Sequence, residues 1–359
     1  MIRFLLPLAL LLVLIAGCAR VANPEGWAPP TEAGDTIYVS LDRGEISALS
    51  SDDYAEAWKF PAGDEFACGN EKEAERELDG IYGGPAIGNE LIYIGAYDNF
   101  VYAVAREDGI CAWRFETGDP IVGSPVLAGD KLYVPSTDGN LYLLDPETGD
   151  EIGRVAVGDV WSTPLLTEDG DLYVSTMDGD LWKFTTDPLE PVWTDVFSAN
   201  AGLLTTPVLA GDAVVVGGIG EIIYARRADT GDEMWSFSGG NWFWGDIAVG
   251  DSAIYATSLD GKVYAVSAET GDELWSFDTE SPIRAGAVIR GDDVIVANNS
   301  GDVYALNAET GDIVWGPTEL DETVYAQPVL QGDDVLIVTR SGDIIAIGVD
   351  GRPTTVVRS

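Results

Sequence analysis

Residues 268–275 read Ala268-Glu269-Thr270-Gly271-Asp272-Glu273-Leu274-Trp275. The phrase returns as Ala228-Asp229-Thr230-Gly231-Asp232-Glu233-Met234-Trp235 and as Ala308-Glu309-Thr310-Gly311-Asp312-Ile313-Val314-Trp315. A Thr-Gly-Asp turn feeding an apolar run is a tight reversal into a strand, because glycine supplies the left-handed backbone that such turns need. Trp58, Trp113 and Trp193 stand at the same point of degenerate copies; the third copy has Gly153 there, and the last, around Val349-Asp350-Gly351, has no tryptophan.

Working outward from that phrase, the apolar run Leu132-Tyr133-Val134 also repeats. Its counterparts centre on Tyr38, Tyr93, Tyr173, Val215, Tyr255, Ile295 and Leu336, at a period of about forty residues. One interval, from Tyr38 to Tyr93, is longer and holds an insert over 61–80. A single repeat shows the build: a short first strand at Ser124-Pro125-Val126-Leu127, a Gly129-Asp130 turn, and a second strand from Lys131 to Pro135. Asp138-Gly139 then turns into a third strand from Asn140 to Leu144, and a fourth follows Gly149. Strands this short, joined by turns this tight, cannot cover both faces of their own sheet, so each sheet must stack on the next. Eight units stacked radially make an all-β fold, an eight-bladed β-propeller of four-stranded antiparallel blades over 26–359.

The Thr-Gly-Asp…Trp phrase resembles the tryptophan-docking motif of the pyrroloquinoline-quinone-type propeller repeats. The resemblance implies that Trp58, Trp113, Trp193, Trp235, Trp275 and Trp315 dock neighbouring blades, and that the two blades without the residue dock less firmly. Catalytic members of the family, the quinoprotein dehydrogenases, hold the quinone under a disulfide between adjacent cysteines beside a Ca²⁺ ion. The three cysteines of this chain, Cys18, Cys68 and Cys111, include no adjacent pair. The chain is more similar to the family's non-enzymatic lipoprotein branch, the BamB-type subunits of outer-membrane β-barrel assembly, which implies a scaffold that binds partners by loops on one face.

Composition narrows the chemistry. The 359 residues contain no histidine, which excludes a Ser-His-Asp triad, a His-ligated metal or haem and an imidazole proton shuttle. No catalytic residue, metal ligand set or cofactor is assigned. The net charge of −42 argues against nucleic acid as a partner, because phosphate binding rests on basic patches. With so many acids, carboxylate pairs arise by chance, and the Asp-Gly runs read as hairpin turns instead of calcium loops.

The N-terminus addresses the chain. Arg3 precedes an apolar run from Phe4 to Ala16, shorter than the roughly 20 residues of a spanning helix and so a secretory signal over 1–17. Ile15-Ala16-Gly17-Cys18 resembles the bacterial lipobox, which makes Cys18 the lipidated residue and 18–25 a tether. The expected location is the outer face of the plasma membrane, or the periplasmic face of an outer membrane. In that oxidising setting Cys68 and Cys111 are expected to form a disulfide pinning the insert to the next repeat. The alternating charges from Glu71 to Leu78 read as a small solvated helix.

Turns between strands one and two and between three and four emerge on one side of a propeller, and they are acidic: Glu168-Asp169, Asp292-Asp293, Asp333-Asp334, Glu147 and Glu269. The opposite side carries aromatics, with Trp27, Trp161, Trp242 and Trp244 at the entrances to innermost strands. Counting three back from the innermost-strand proline or its equivalent gives Tyr82, Val122, Trp161, Leu204, Trp244, Arg284 and Tyr325, a ring around one mouth of the channel. Two readings of the ring stand side by side, a binding rim or packing between blades. Trp242-Phe243-Trp244 argues for exposure, since three successive residues of an extended chain cannot all face inward. Tyr82, Trp161, Trp242, Trp244, Arg284 and Tyr325 are therefore the candidate rim. The expected function is a membrane-anchored, monomeric scaffold that binds envelope or membrane proteins. A quinone- and Ca²⁺-dependent dehydrogenase and a carbohydrate-recognition module are the alternatives.

Overall fold

The computed structural model describes residues 26–42, 44–61, 65–68, 71–74 and 78–358. The signal sequence, Cys18 and the tether lie outside the described residues. Eight sheets follow one another along the chain, each with four consecutive antiparallel strands as its frame. The third, for example, runs Val126–Ala128, Lys131–Pro135, Asn140–Leu144 and Glu151–Ala156. The eight-bladed propeller expected from the repeats is the fold.

Burial follows from stacking. The second and third strands are covered on both faces by neighbouring sheets, so they are near-continuous apolar runs instead of alternating ones; Leu91–Gly95 and Phe100–Ala105 are buried almost throughout. Outermost strands have one free edge and alternate, as Glu273–Asp278 does. Among the described residues the core divides into eight apolar clusters, one for each junction between neighbouring sheets. Near the axis the sheets crowd: a Cβ on Gly123 would lie 2.0 Å from the Ser162 carbonyl oxygen of the next sheet.

Each of the six motif tryptophans reaches the turn of the following blade. Trp58 meets Gly109, Trp113 Gly149, Trp193 Gly231, Trp235 Gly271, Trp275 Gly311 and Trp315 Gly351. Five of the indole N–H groups donate to a backbone carbonyl of that blade, at 2.9–3.3 Å. The nitrogen of Trp315 is buried without a partner.

The two junctions without a motif tryptophan are built differently. Between the third and fourth blades, Tyr133 donates to the Thr186 carbonyl and Lys131 pairs with Asp187, both at 2.7 Å. Trp182 of the fourth blade, stacked on Phe184, donates back to Val157 at 2.9 Å. Among the described residues no strand crosses between the eighth and first blades. The closure is an apolar cluster including Ile37, Val39, Leu336 and Val338, with Gln331 accepting from the Tyr54 hydroxyl and donating to Ser51.

The insert corrects one expectation. Glu71–Ala74 is a strand, not a helix; it pairs with Glu65–Cys68, and that strand runs parallel to Cys111–Glu116, extending the second blade to six strands. Local charge alternation favours a helix, but the open edge of the second blade offers backbone partners, and pairing overrides propensity. Cys68 and Cys111 are register partners joined by a disulfide, with Cα atoms 4.8 Å apart.

Candidate binding site at the channel mouth

Each blade enters its innermost strand through a link that crosses the rim of the central channel. The repeat register therefore delivers one side chain per blade to the same height. Tyr82, Val122, Trp161 and Leu204 come from the second to fifth blades, and Trp244, Arg284 and Tyr325 from the sixth to eighth; all line one cavity of about 680 Å³. The eighth member is Trp27, three residues before Pro30 in the first blade. Tyr97 and Arg340 join from turns between second and third strands.

The rim is an interlocked aromatic arc. Trp27 meets Tyr82 edge-on at 4.5 Å and Tyr325 at 5.4 Å, and Tyr82 meets Tyr97 at 5.5 Å. Arg284 lies among three rings, 4.9 Å from Tyr325, 5.0 Å from Trp244 and 5.9 Å from Trp27. Ring faces are electron-rich, so they hold the guanidinium without neutralising it. Among the described residues no carboxylate forms an ion pair with Arg284. In a chain with 61 acidic residues, that leaves a positive charge available at the mouth.

Two positions further along each link lies a second, more polar tier that includes Ser124, Thr163, Thr206, Asp246 and Gln327. Its members tie neighbouring blades together. Ser124 N–H donates to Thr163 Oγ1 at 3.0 Å, and the Thr206 N–H and hydroxyl donate to the two carboxylate oxygens of Asp246 at 2.7 and 3.1 Å. Burial pushes the Asp246 carboxyl above the ordinary carboxylate range, and the two bonds from Thr206 pull it partly back.

A calcium–quinone centre does not fit these residues. Among the described lining residues Asp246 is the single carboxylate, both its oxygens are taken by Thr206, and no adjacent cysteines occur in the chain. Among the described residues no group of three or more Cys, Asp or Glu is arranged to hold a metal ion.

A family model described as outer membrane protein assembly factor BamB matches residues 17–237 and 259–354. The chain belongs to this family. BamB from Moraxella catarrhalis has a similar fold, with a TM-score of 0.74 at 18% identity over 89% of this chain and 92% of that one. The computationally designed Ika8 protein is similar too, with a TM-score of 0.70 at 14% identity over 90% and 96%. At such identities the likeness is one of fold. No curated protein sequence matches the chain.

Within this BamB-family propeller, Trp242-Phe243-Trp244 splits three ways. Trp242 is 39% exposed and does not line the cavity, while Phe243 is fully buried against Phe237 and Tyr264, and Trp244 lines the mouth. Beside the rim, Asp159 lies in the link leading to Trp161. Its carboxyl is pushed up to about 6 by burial and by Asp178 and Asp119, against the pull of the Trp161 indole. Trp27 and the polar tier lie outside the seven positions that the repeat register gives. Counting back from Pro30 finds the first, and stepping two residues inward from each rim position finds the second.

Proposed function

We propose that this chain is a lipid-anchored, non-enzymatic scaffold of the cell envelope that docks other envelope or membrane proteins on the face holding the aromatic mouth, in the service of outer-membrane protein assembly. The observation that carries the reading is the match to the BamB assembly-factor family along most of the chain. The mouth supports it: aromatic and arginine side chains gathered at one place are typical anchors of protein interfaces, and Trp242 stands exposed beside them. The opposite face, with its acidic turns, repels anionic surfaces and keeps the docking side distinct. A single propeller with every junction closed needs no second copy, and the scaffold acts as a monomer.

Two experiments test this. Membrane fractionation of Cys18→Ser expressed in a bacterial host reports the anchor: release into the soluble fraction is expected, and retention with the membrane overturns lipidation at Cys18. Site-specific photocrosslinking from position 242 in intact cells reports docking. An envelope protein captured there, and lost with Trp161→Ala, is the expected outcome; capture that ignores Trp161 moves the docking surface elsewhere.

A further inference from the structure

We infer that the channel mouth is also a binding site for an acidic sugar, a saccharide carrying a single uronate-type carboxylate, with the carboxylate on Arg284 and sugar rings against the aromatic arc. Four observations converge. The first is size: about 680 Å³ lies inside the range of roughly 300–1,000 Å³ that holds small molecules. The second is charge: Arg284 has three aromatic rings for neighbours and, among the described residues, no carboxylate in ion-pair contact. A guanidinium so placed keeps its donors for a planar carboxylate, which it binds with directed, charge-assisted hydrogen bonds.

The third observation is the wall. Trp161, Trp27 and Tyr82 line the same cavity, and indole and phenol rings offer flat apolar surfaces for the C–H face of a pyranose. The fourth is the floor. Below the aromatic ring lie the hydroxyls of Ser124, Thr163 and Thr206, the amide of Gln327 and the carboxyl of Asp246. Thr206 and Asp246 are already bonded to each other, but the Ser124 hydroxyl, the Thr163 hydroxyl proton and the Gln327 carbonyl oxygen are not used in the bonds between blades. A hydroxyl-rich ligand therefore finds partners on this floor that an aromatic acid of the same charge would not use.

The field of the whole molecule sharpens the choice of ligand. At a net charge of −42 a polyanion is repelled at long range, and a localised cation cannot offset that repulsion. A neutral body with one carboxylate pays little of it. The site therefore favours a lone uronate over phosphate-rich or polyuronate chains.

The test is calorimetric titration of the full-length chain in detergent micelles with three disaccharides of one skeleton: one with a terminal uronate, its methyl ester and its neutral counterpart. The uronate is expected to bind about tenfold or more tightly than the other two, with affinity falling as salt rises. Arg284→Gln should erase the preference, and the methyl ester asks the same question of the ligand with no change to the protein. Equal binding of all three sugars, no binding of any, or tight binding of pyrroloquinoline quinone with Ca²⁺ in place of the uronate would each overturn the assignment. The site shares its face with the docking surface, but the two readings fail separately: crosslinking from position 242 can succeed with no sugar bound, and titration needs no partner protein.

Discussion

The hydroxyl of Tyr255 and the indole N–H of Trp275 donate to one acceptor, the Ala308 carbonyl oxygen, each at 3.0 Å. The two rings come from the second and fourth strands of the sixth blade, 5.8 Å apart, and the carbonyl belongs to the seventh. The same arrangement recurs where Tyr93 and Trp113 share Pro146, and where Tyr173 and Trp193 share Ala228. A carbonyl has two lone pairs, so both donors are accommodated, and either alone keeps the acceptor satisfied.

That redundancy predicts a non-additive cycle. Tyr255→Phe and Trp275→Phe should each cost about 1 kcal/mol for a lost hydrogen bond, plus the smaller ring in the second case. The double variant should cost about 1 kcal/mol more than the sum, because Ala308 then loses both donors. Urea unfolding of the four proteins measures this, and strict additivity would show that the shared acceptor carries no coupling.

The unpartnered nitrogen of Trp315 separates two otherwise equivalent positions. Trp315→Phe removes no hydrogen bond and should cost about 1 kcal/mol less than Trp275→Phe. Trp275→Ala, which empties the junction, should cost about 3 kcal/mol or more. Denaturation midpoints that rank Trp315 with Trp275 would mean that the indole bonds contribute nothing to docking.

Glycines in the turns answer to different constraints. Gly311 and Gly129 both have positive φ, +75° and +61°, but a Cβ on Gly311 would sit 2.7 Å from the Trp275 ring, whereas one on Gly129 meets nothing. Gly129→Ala should cost about 1–2 kcal/mol for the left-handed backbone alone. Gly311→Ala should cost that and roughly 1–3 kcal/mol more for overpacking against the ring. Thermal unfolding of both variants is the comparison, and equal losses would remove Trp275 from the account.

Asp159 gives a pH signature. Its carboxyl is held up to about 6 in the fold, from 3.8 in the open chain, so the folded state binds the proton more tightly. This group's contribution to stability therefore falls as pH rises from about 4 to 6 and stays low above that. The whole shift corresponds to about 3 kcal/mol, and with the side chain only half-buried, solvent screening reduces it to about 1 kcal/mol. Asp159→Asn should be more stable than the parent by that amount at pH 8 and should lose the advantage near pH 4. A pH-independent difference between the two proteins would show that Asp159 is ionised normally in the fold.

Periodicity made the fold legible, because a propeller writes the same strand pattern eight times and the Thr-Gly-Asp turn marks four of the copies outright. The mouth was legible for a related reason: a register that repeats puts equivalent positions at equivalent heights, and counting from proline found seven of the eight rim side chains. Direction was harder to read, since an entrance link is not a regular strand and alternation does not govern it; Trp242 and Trp244 part company for that reason. The insert misled because Glu71–Ala74 takes its structure from a partner strand supplied by tertiary context. The compensation for Gly153 was also hidden, because Trp182 acts from the following blade and belongs to no motif.

The junction where Gln331 meets Tyr54 and Ser51 has one further consequence. Most of what holds the ring there is side-chain contact, and every sheet is woven from its own consecutive strands, so no blade depends on which one the chain visits first. The protein is in effect a necklace of eight beads whose clasp could be moved. A circular permutant with its old ends joined and a new opening in another exposed link keeps all eight sheets intact, and the position of the chain ends around the ring becomes a variable that can be set independently of the fold.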